Sequence, residues 1–441
     1  MTQTIPSSPA APQPLASRGA APLSGTVRAP GDRLTAQFGL MLAALAVGCS
    51  TLEGLTATPD LLASAEALRL LGVTIAPQDR AWRINGLGIG GLLQPEAPLV
   101  PGSAEGAALL LGLLAPYPFT TQIVGPFAQA EPALRAALAP IAQIEKDSDG
   151  LSLRGSPLPL PLHHTLAAPD AVTRMALLLA AAQTRGISTL IEPHAGPDHA
   201  EKLLAGFGAR LETHQDEAGA GTLALTGLAE LSPQRLAIAG DPALAAYPAV
   251  AALIVPGSEL TIENVLINPA RTGLIDTLLE MGGDIMFLNQ REMAGEHVAD
   301  LRVRSSRMKG ITLSSDHGAA MALDLALLAV AAAYAEGETL FAGEWDARGA
   351  ALVAALGASK VSATITTNGL RIAGTGKVEG GGRPVATPDP RLAMSLMVLG
   401  LASRKRVALE DAGGIDDVFP GFIQTLKGAG ARIEPKKGRA S

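Results

Sequence analysis

Cysteine is almost missing from this chain of 441 residues. The single Cys49 excludes an internal disulfide and any metal site built on several thiolates, and its place at the end of an apolar helical run reads as that of a small buried residue. Aromatic residues are scarce too, at 3% against 48% hydrophobic residues in all. The interior must therefore be packed from Ala, Leu, Val and Ile, which suits closely approaching helices. Positive charge is in short supply: 34 Lys and Arg face 41 Asp and Glu, and a net charge of -7 gives no field for nucleic acid or an acidic membrane. Uninterrupted apolar runs of membrane-spanning length are missing. The longest candidates, residues 104–128 and 319–335, are broken by Glu105, Pro116 and Pro118 in the first and by Asp324 in the second. Residues 1–20, MTQTIPSSPAAPQPLASRGA, have no signal-peptide core and read as a disordered tail, so a soluble cytoplasmic protein is expected.

What the chain has instead is repetition. From Ala239 to Ile285 a Gly-Asp-Pro turn leads into an almost uncharged apolar run, Ala243 to Val255. The breaker Pro256-Gly257-Ser258 follows, then an alternating strand pattern at Leu260, Ile262 and Val265, and an amphipathic helix from Thr272 to Met281 closed by two glycines. A helix that is apolar all round has to be buried, whereas the second has one apolar face. Turns followed by apolar helices also begin near Gly31, Gly102, Pro169, Asp316 and Pro388, at a period of roughly seventy residues. Six buried helices, each flanked by strands, predict two lobes of three repeats with helices inside and sheets outside. The predicted division is a tail at 1–20, one lobe at 34–238, and a second lobe at 21–33 plus 239–436. The run Gly86-Leu87-Gly88-Ile89-Gly90-Gly91 has the form of a dinucleotide fingerprint, but Pro95 and Pro98 forbid the helix that should follow, so it reads as a flexible turn and no cofactor is expected.

Certain segments carry a resemblance. LSGTVRAPGDR, INGLGIGGLLQPEAPL, IEPHAGPDHAEKLLAGFGA, GEHVADLRVRSS, LAVAAAYAEG, RLAMSLMVLGL and FPGFIQTLKGAGARIE occur in the order in which similar segments occur in the 5-enolpyruvylshikimate-3-phosphate synthases, especially the bacterial class that tolerates glyphosate. The resemblance spans about Leu23 to Glu434. It implies an α/β fold of two lobes, an inside-out α/β barrel of six βαβαββ-like repeats, joined by two crossings of the chain. It also implies a site at buried-helix N-termini, where free N–H groups and helix dipoles favour phosphate and carboxylate. Moving a carboxyvinyl group from phosphoenolpyruvate to a hydroxyl needs a base, an acid and cations for the anionic substrates.

Measured against that family, this chain departs at the charged positions. The family's Gly-Asp-Lys-Ser turn is Gly31-Asp32-Arg33-Leu34 here, and Phe38 stands where an Arg would bind substrate. Arg33 keeps the charge without the proton chemistry of lysine. Gly106-Ala107-Ala108, with Glu105 beside it, replaces a Gly-x-Arg, and Glu131-Pro132 replaces Arg-Pro. Ser-Ala-Gln-Val-Lys becomes Asp170-Ala171-Val172-Thr173-Arg174, and the Arg ahead of Asp198-His199 becomes Pro197. Leu323 stands in register with the catalytic Asp, with Asp324 one place later and so turned by about 100° on a helix. The family's Arg-x-Lys-Glu-Ser-Asp-Arg is shortened around Asp346 and Arg348, and Asp-His-Arg becomes Asp389-Pro390-Arg391.

The expected substrate-binding residues are therefore Arg33, Arg174 and Arg391, with ordinary salt bridging at helix starts as their alternative reading and no catalytic residue assigned. Asp170 and Asp389 are expected to cap their own helices. No zinc site is expected at His194 and His199, which lack a third ligand, and the terminal PKKGRAS reads as a solvated end. Scaffold segments persist while cleft cations have turned apolar or acidic, so the expectation is a catalytically degenerate homologue that binds another small anionic ligand or a protein partner. The alternative is an active carboxyvinyltransferase with a rearranged site using Arg33, Asp324, Arg174 and Arg391.

Overall fold

The computed structural model describes residues 13–78, 81–126, 132–167, 170–193, 196, 198–217, 219–315, 321 and 323–435. They fall into two compact units. The terminal unit takes Met1–Ala29, Gly240–Gln290 and Ala299–Ser441, and the central unit takes Pro30–Ala239 and Arg291–Val298.

Each unit is built on three buried helices. In the central unit these are Arg33–Leu45, Ala104–Leu114 and Ala171–Ala182; in the terminal unit, Pro242–Ile254, Leu325–Tyr334 and Pro390–Gly400. The apolar template behaves as its composition demands: every residue from Leu244 to Ile254 is buried. Each fully buried Leu or Val contributes about 2 kcal/mol, so these helices are held by burial and need little amphipathic character.

Five of the six begin at a side-chain cap. Asp32 accepts from the Thr35 N–H, Ser103 from Gly106, Asp170 from Val172 and Thr173, Asp241 from Ala243, and Asp389 from Arg391 and Leu392. Such caps satisfy N–H groups that a buried helix end leaves open, at about 1 kcal/mol each. Asp170 and Asp389 thus engage their own helices. The fifth helix starts at Leu325, later than the turn at Asp316 suggests, and Asp324 precedes it without a capping hydrogen bond. Residues 316–320 lie outside the described residues.

Among the described residues, sheets enclose the helices, three in each unit. In the first central repeat, Val47–Glu53, Thr74–Gln78 and Ala81–Leu87 form an antiparallel ladder, and Arg235–Ala237 adds a parallel edge strand. Ser24–Arg28 closes a terminal-unit sheet in the same way, parallel to Glu259–Leu266. Glycines set how closely sheet meets helix. A Cβ on Gly86 would lie 2.2 Å from the Ala43 carbonyl oxygen and 2.3 Å from that of Ala46, and one on Gly374 would lie 2.3 Å from those of Ala332 and Ala335. The reading of Gly86 as part of a flexible turn is therefore corrected: it belongs to the strand Ala81–Leu87, pressed on the end of the first helix.

Other expectations also change. Residues 15–18, assigned to a disordered tail, form a strand between Val407–Ala408 and Arg432–Pro435, with Leu15, Ala16 and Ser17 buried. Its partners lie some four hundred residues away, beyond the reach of local composition. Cys49 is exposed, on the strand Val47–Glu53, because the helix ends at Leu45 and the strand turns the thiol outward. Residues 291–298, the tip of a hairpin between Asp284–Met293 and Glu296–Arg304, belong to the central unit, an excursion that no shift in composition marks.

Candidate active site

In the terminal unit, the starts of the Pro242–Ile254, Leu325–Tyr334 and Pro390–Gly400 helices bring Asp241, Asp324 and Arg391 to one cavity of about 990 Å³. Arg271, Asp276, Thr277, Ser314 and Leu323 also line it. Arg391 sits in the first turn of its helix, and its Nη1 donates to Asp324 Oδ1 at 3.1 Å. Its own carbonyl accepts from the Ser395 hydroxyl at 2.7 Å and the Tyr247 phenol at 3.3 Å, which fixes the backbone from which the guanidinium projects. Arg271 Nη2 lies 3.5 Å from Asp241 Oδ1.

Burial pushes the Asp324 carboxyl up from 3.8 to about 6, Arg391 and Arg271 pulling it down and Asp241 pushing it further up. The arrangement holds a carboxyl group near neutrality beside a guanidinium, a combination suited to proton transfer and anion binding. Leu323, in register with the family's catalytic Asp, also lines the cavity but is largely exposed, whereas Asp324 is paired with Arg391.

In the central unit Arg33 opens its helix half-exposed. Its Nε lies 3.2 Å from Asp60 Oδ2 and its Nη2 donates to Glu105 Oε1 at 3.1 Å. Asp60 is held in turn by the Gln37 amide at 3.2 Å. Arg174 is differently placed: only 8% exposed, it is bound by Glu192 at 3.1 Å and by Glu201. Its charge is balanced inside the unit, so it ties the helix Ala171–Ala182 to the strand Ile187–Glu192 and the helix His199–Gly206. Asp346 caps its own helix through the Arg348 N–H.

His199 gains a neighbour that sequence reading missed. Its Nδ1 lies 2.6 Å from Glu296 Oε1, and Asp198 completes a three-residue group that could hold a metal. Lys202 already stands among these carboxylates, 3.0 Å from Asp198 and 3.2 Å from Glu296. Burial raises the Glu296 carboxyl, but the His199 hydrogen bond and the Lys202 charge outweigh it and hold the group below the usual range. An ammonium thus does there what a bound cation would do. His194, Pro197 and Glu131 lie outside the described residues.

Solved structures with this architecture define the class. EPSP synthase from Acinetobacter baumannii matches with a TM-score of 0.85 and 27% identity, over 96% of this chain and 99% of that one. The enolpyruvyl transferase NikO from Streptomyces tendae matches with a TM-score of 0.75 at 19% identity, a likeness of fold. The protein has the enolpyruvyl transferase fold.

The sequence narrows this further. The family model of EPSP synthase (3-phosphoshikimate 1-carboxyvinyltransferase) matches residues 17–426. A 3-phosphoshikimate 1-carboxyvinyltransferase of Chelativorans sp. (strain BNC1) is 40% identical over 453 residues, covering 99% of this chain and 100% of the relative. One of Paramagnetospirillum magneticum is 40% identical over 437 residues, covering 96% and 98%. The chain belongs to the EPSP synthase family. These relatives correct the expectation of a catalytically degenerate homologue. Proteins named as the transferase share two-fifths of their residues with this chain from end to end, which outweighs a reading built on a few motif positions.

Proposed function

We propose that this protein transfers the carboxyvinyl group of phosphoenolpyruvate to shikimate 3-phosphate, using a rearranged set of charged residues. The observation that carries the reading is the 40% identity to proteins named as this transferase across nearly the whole chain. The terminal-unit cavity supports it with helix N-termini, Arg271 and Arg391 for anionic groups and Asp324 for proton traffic. Arg33 and Arg391 are the proposed substrate cations, and Arg174 acts as a positioning residue from its buried place between Glu192 and Glu201. The resemblance of LSGTVRAPGDR carries the finer reading, a member of the bacterial class that tolerates glyphosate. A cytoplasmic location belongs to the same proposal, since a reducing compartment preserves the free, exposed thiol of Cys49.

The test is phosphate release by the purified protein that requires both substrates, together with growth of a synthase-deficient strain without aromatic amino acids. Activity is expected to persist at glyphosate concentrations that stop a sensitive synthase. Arg391→Gln is expected to lower kcat/KM about thirtyfold, the loss of one charged contact of about 2 kcal/mol. No phosphate release and no growth would refute the proposal.

A further inference from the structure

We propose that anion capture at Arg391 is proton-linked: Asp324 takes up one proton from solvent as a phosphate or carboxylate group replaces it against the guanidinium. The inference rests on reading the terminal-unit cavity as an anion site and states how that site is regulated. It begins with geometry. Arg391 and Asp324 face each other at 3.1 Å on the wall of a cavity large enough for a small organic anion. An anion that takes this guanidinium meets a carboxylate already in place.

Asp324 is free to give way. It stands at the head of the Leu325–Tyr334 helix yet makes no capping hydrogen bond, unlike the residues that open the other five buried helices. Leaving Arg391 therefore costs the helix no cap.

The surroundings decide what happens to the displaced carboxyl. Arg391 and Arg271 hold its proton off, while burial and Asp241 favour keeping it, and the balance already stands at about 6. Asp276 and Glu280 line the same cavity, Asp389 opens the helix that carries Arg391, and Tyr247 is packed beneath it with its phenol pushed up by burial. Arg271 remains tied to Asp241 at 3.5 Å. Once an anion draws on the charge of Arg391 and adds its own, the main group holding the proton off is lost and the neutral acid is favoured. The protonated Asp324 then presents an O–H donor to the anion where its carboxylate had repelled it.

The sign follows. Above about 6 the free protein carries an ionised Asp324, binding takes up a proton, and affinity rises as pH falls, by about tenfold per pH unit for one whole proton. Below that value Asp324 is already protonated and the dependence flattens.

Calorimetric titration of the full chain with phosphoenolpyruvate, in buffers of different ionisation enthalpy between pH 6 and 8, counts the protons directly. Asp324→Asn reports the contribution of the ligand's own ionisation, and Asp324→Ser serves the same end should the amide disturb the fold. Wild type is expected to take up about one proton more than either variant, and the variants to bind more tightly at pH 8 with a flatter pH profile. Wild-type binding with no proton uptake beyond that of the variants, or variants that keep the wild-type slope, would overturn the inference and leave the transferase reading standing. Failure of wild type to bind phosphoenolpyruvate at any pH would remove the anion site, and this inference with it.

Discussion

Arg174→Ala is expected to destabilise the central unit by about 3–5 kcal/mol, the usual cost of breaking a buried ion pair from one side. Glu192 and Glu201 are 5% and 6% exposed, and each already has one oxygen with no hydrogen-bond partner, Glu192 Oε1 and Glu201 Oε2. Removing the guanidinium leaves two buried carboxylates facing each other, so one must protonate or the strand and helix must part. Urea denaturation checks the size of the loss. A second substitution discriminates the cause: Glu201→Gln in the Arg174→Ala background should recover part of the stability, because the orphaned charge is what costs. If Arg174 were instead a substrate ligand, the single variant would keep its urea midpoint and raise KM alone. Arg174→Lys, which keeps the charge and loses the two-pronged geometry, should fall between.

Gly112→Ala is expected to cost about 2 kcal/mol in spite of the better helix propensity of alanine. Gly112 lies in the Ala104–Leu114 helix where it crosses Ala171–Ala182, and a Cβ there would lie 2.0 Å from the Ala176 carbonyl oxygen and 2.7 Å from its Cα. Those atoms are backbone of a second buried helix and cannot rotate away. Propensity favours Ala over Gly by about 1 kcal/mol, while a 2.0 Å approach to immobile backbone puts the overpacking cost at the upper end of its usual range, about 3 kcal/mol, and higher for a bulkier side chain. Packing therefore wins, and Gly112→Val should yield little folded protein. Thermal melts of the two variants check both statements. A control at Gly206, where a Cβ meets nothing within 4 Å, should show the opposite sign.

These two sites show why part of the molecule could be read from the chain and part could not. The apolar run of the fourth repeat specifies its helix to within a residue or so, because a sequence apolar on every face has nowhere to go but a core. The caps at Asp170 and Asp389 were equally legible, since an Asp before an apolar run closes its hydrogen bonds within three residues, and Asp32 and Asp241, read only as turn residues, cap in the same way. The ion pairs were not. Arg174 meets Glu201 across a turn and a strand, Asp324 meets Arg391 at a separation of 67 residues, and His199 meets Glu296 at 97.

Motif comparison singled out Arg391 and expected the one-residue step from Leu323 to Asp324 to turn the carboxylate by about 100° on a helix. That assumed an unbroken helix through both positions, whereas the helix begins at Leu325 and leaves Asp324 at its mouth. The lone thiol was misjudged for a related reason. Cys49 follows an apolar stretch, but the chain changes from helix to strand between Leu45 and Val47, and the rule for which residues face inward changes with it.

By itself, then, the sequence determined the repeated unit, the apolar runs that become buried helices with the caps at Asp170 and Asp389, and the family. Each is written in short-range periodicity or in collinear segments. Tertiary structure alone decided which charges neutralise one another and which carboxyl stands near neutrality. Those outcomes depend on burial and on neighbours brought together by folding, and a carboxylate's energy is set by its surroundings within a few ångströms rather than by its place along the chain.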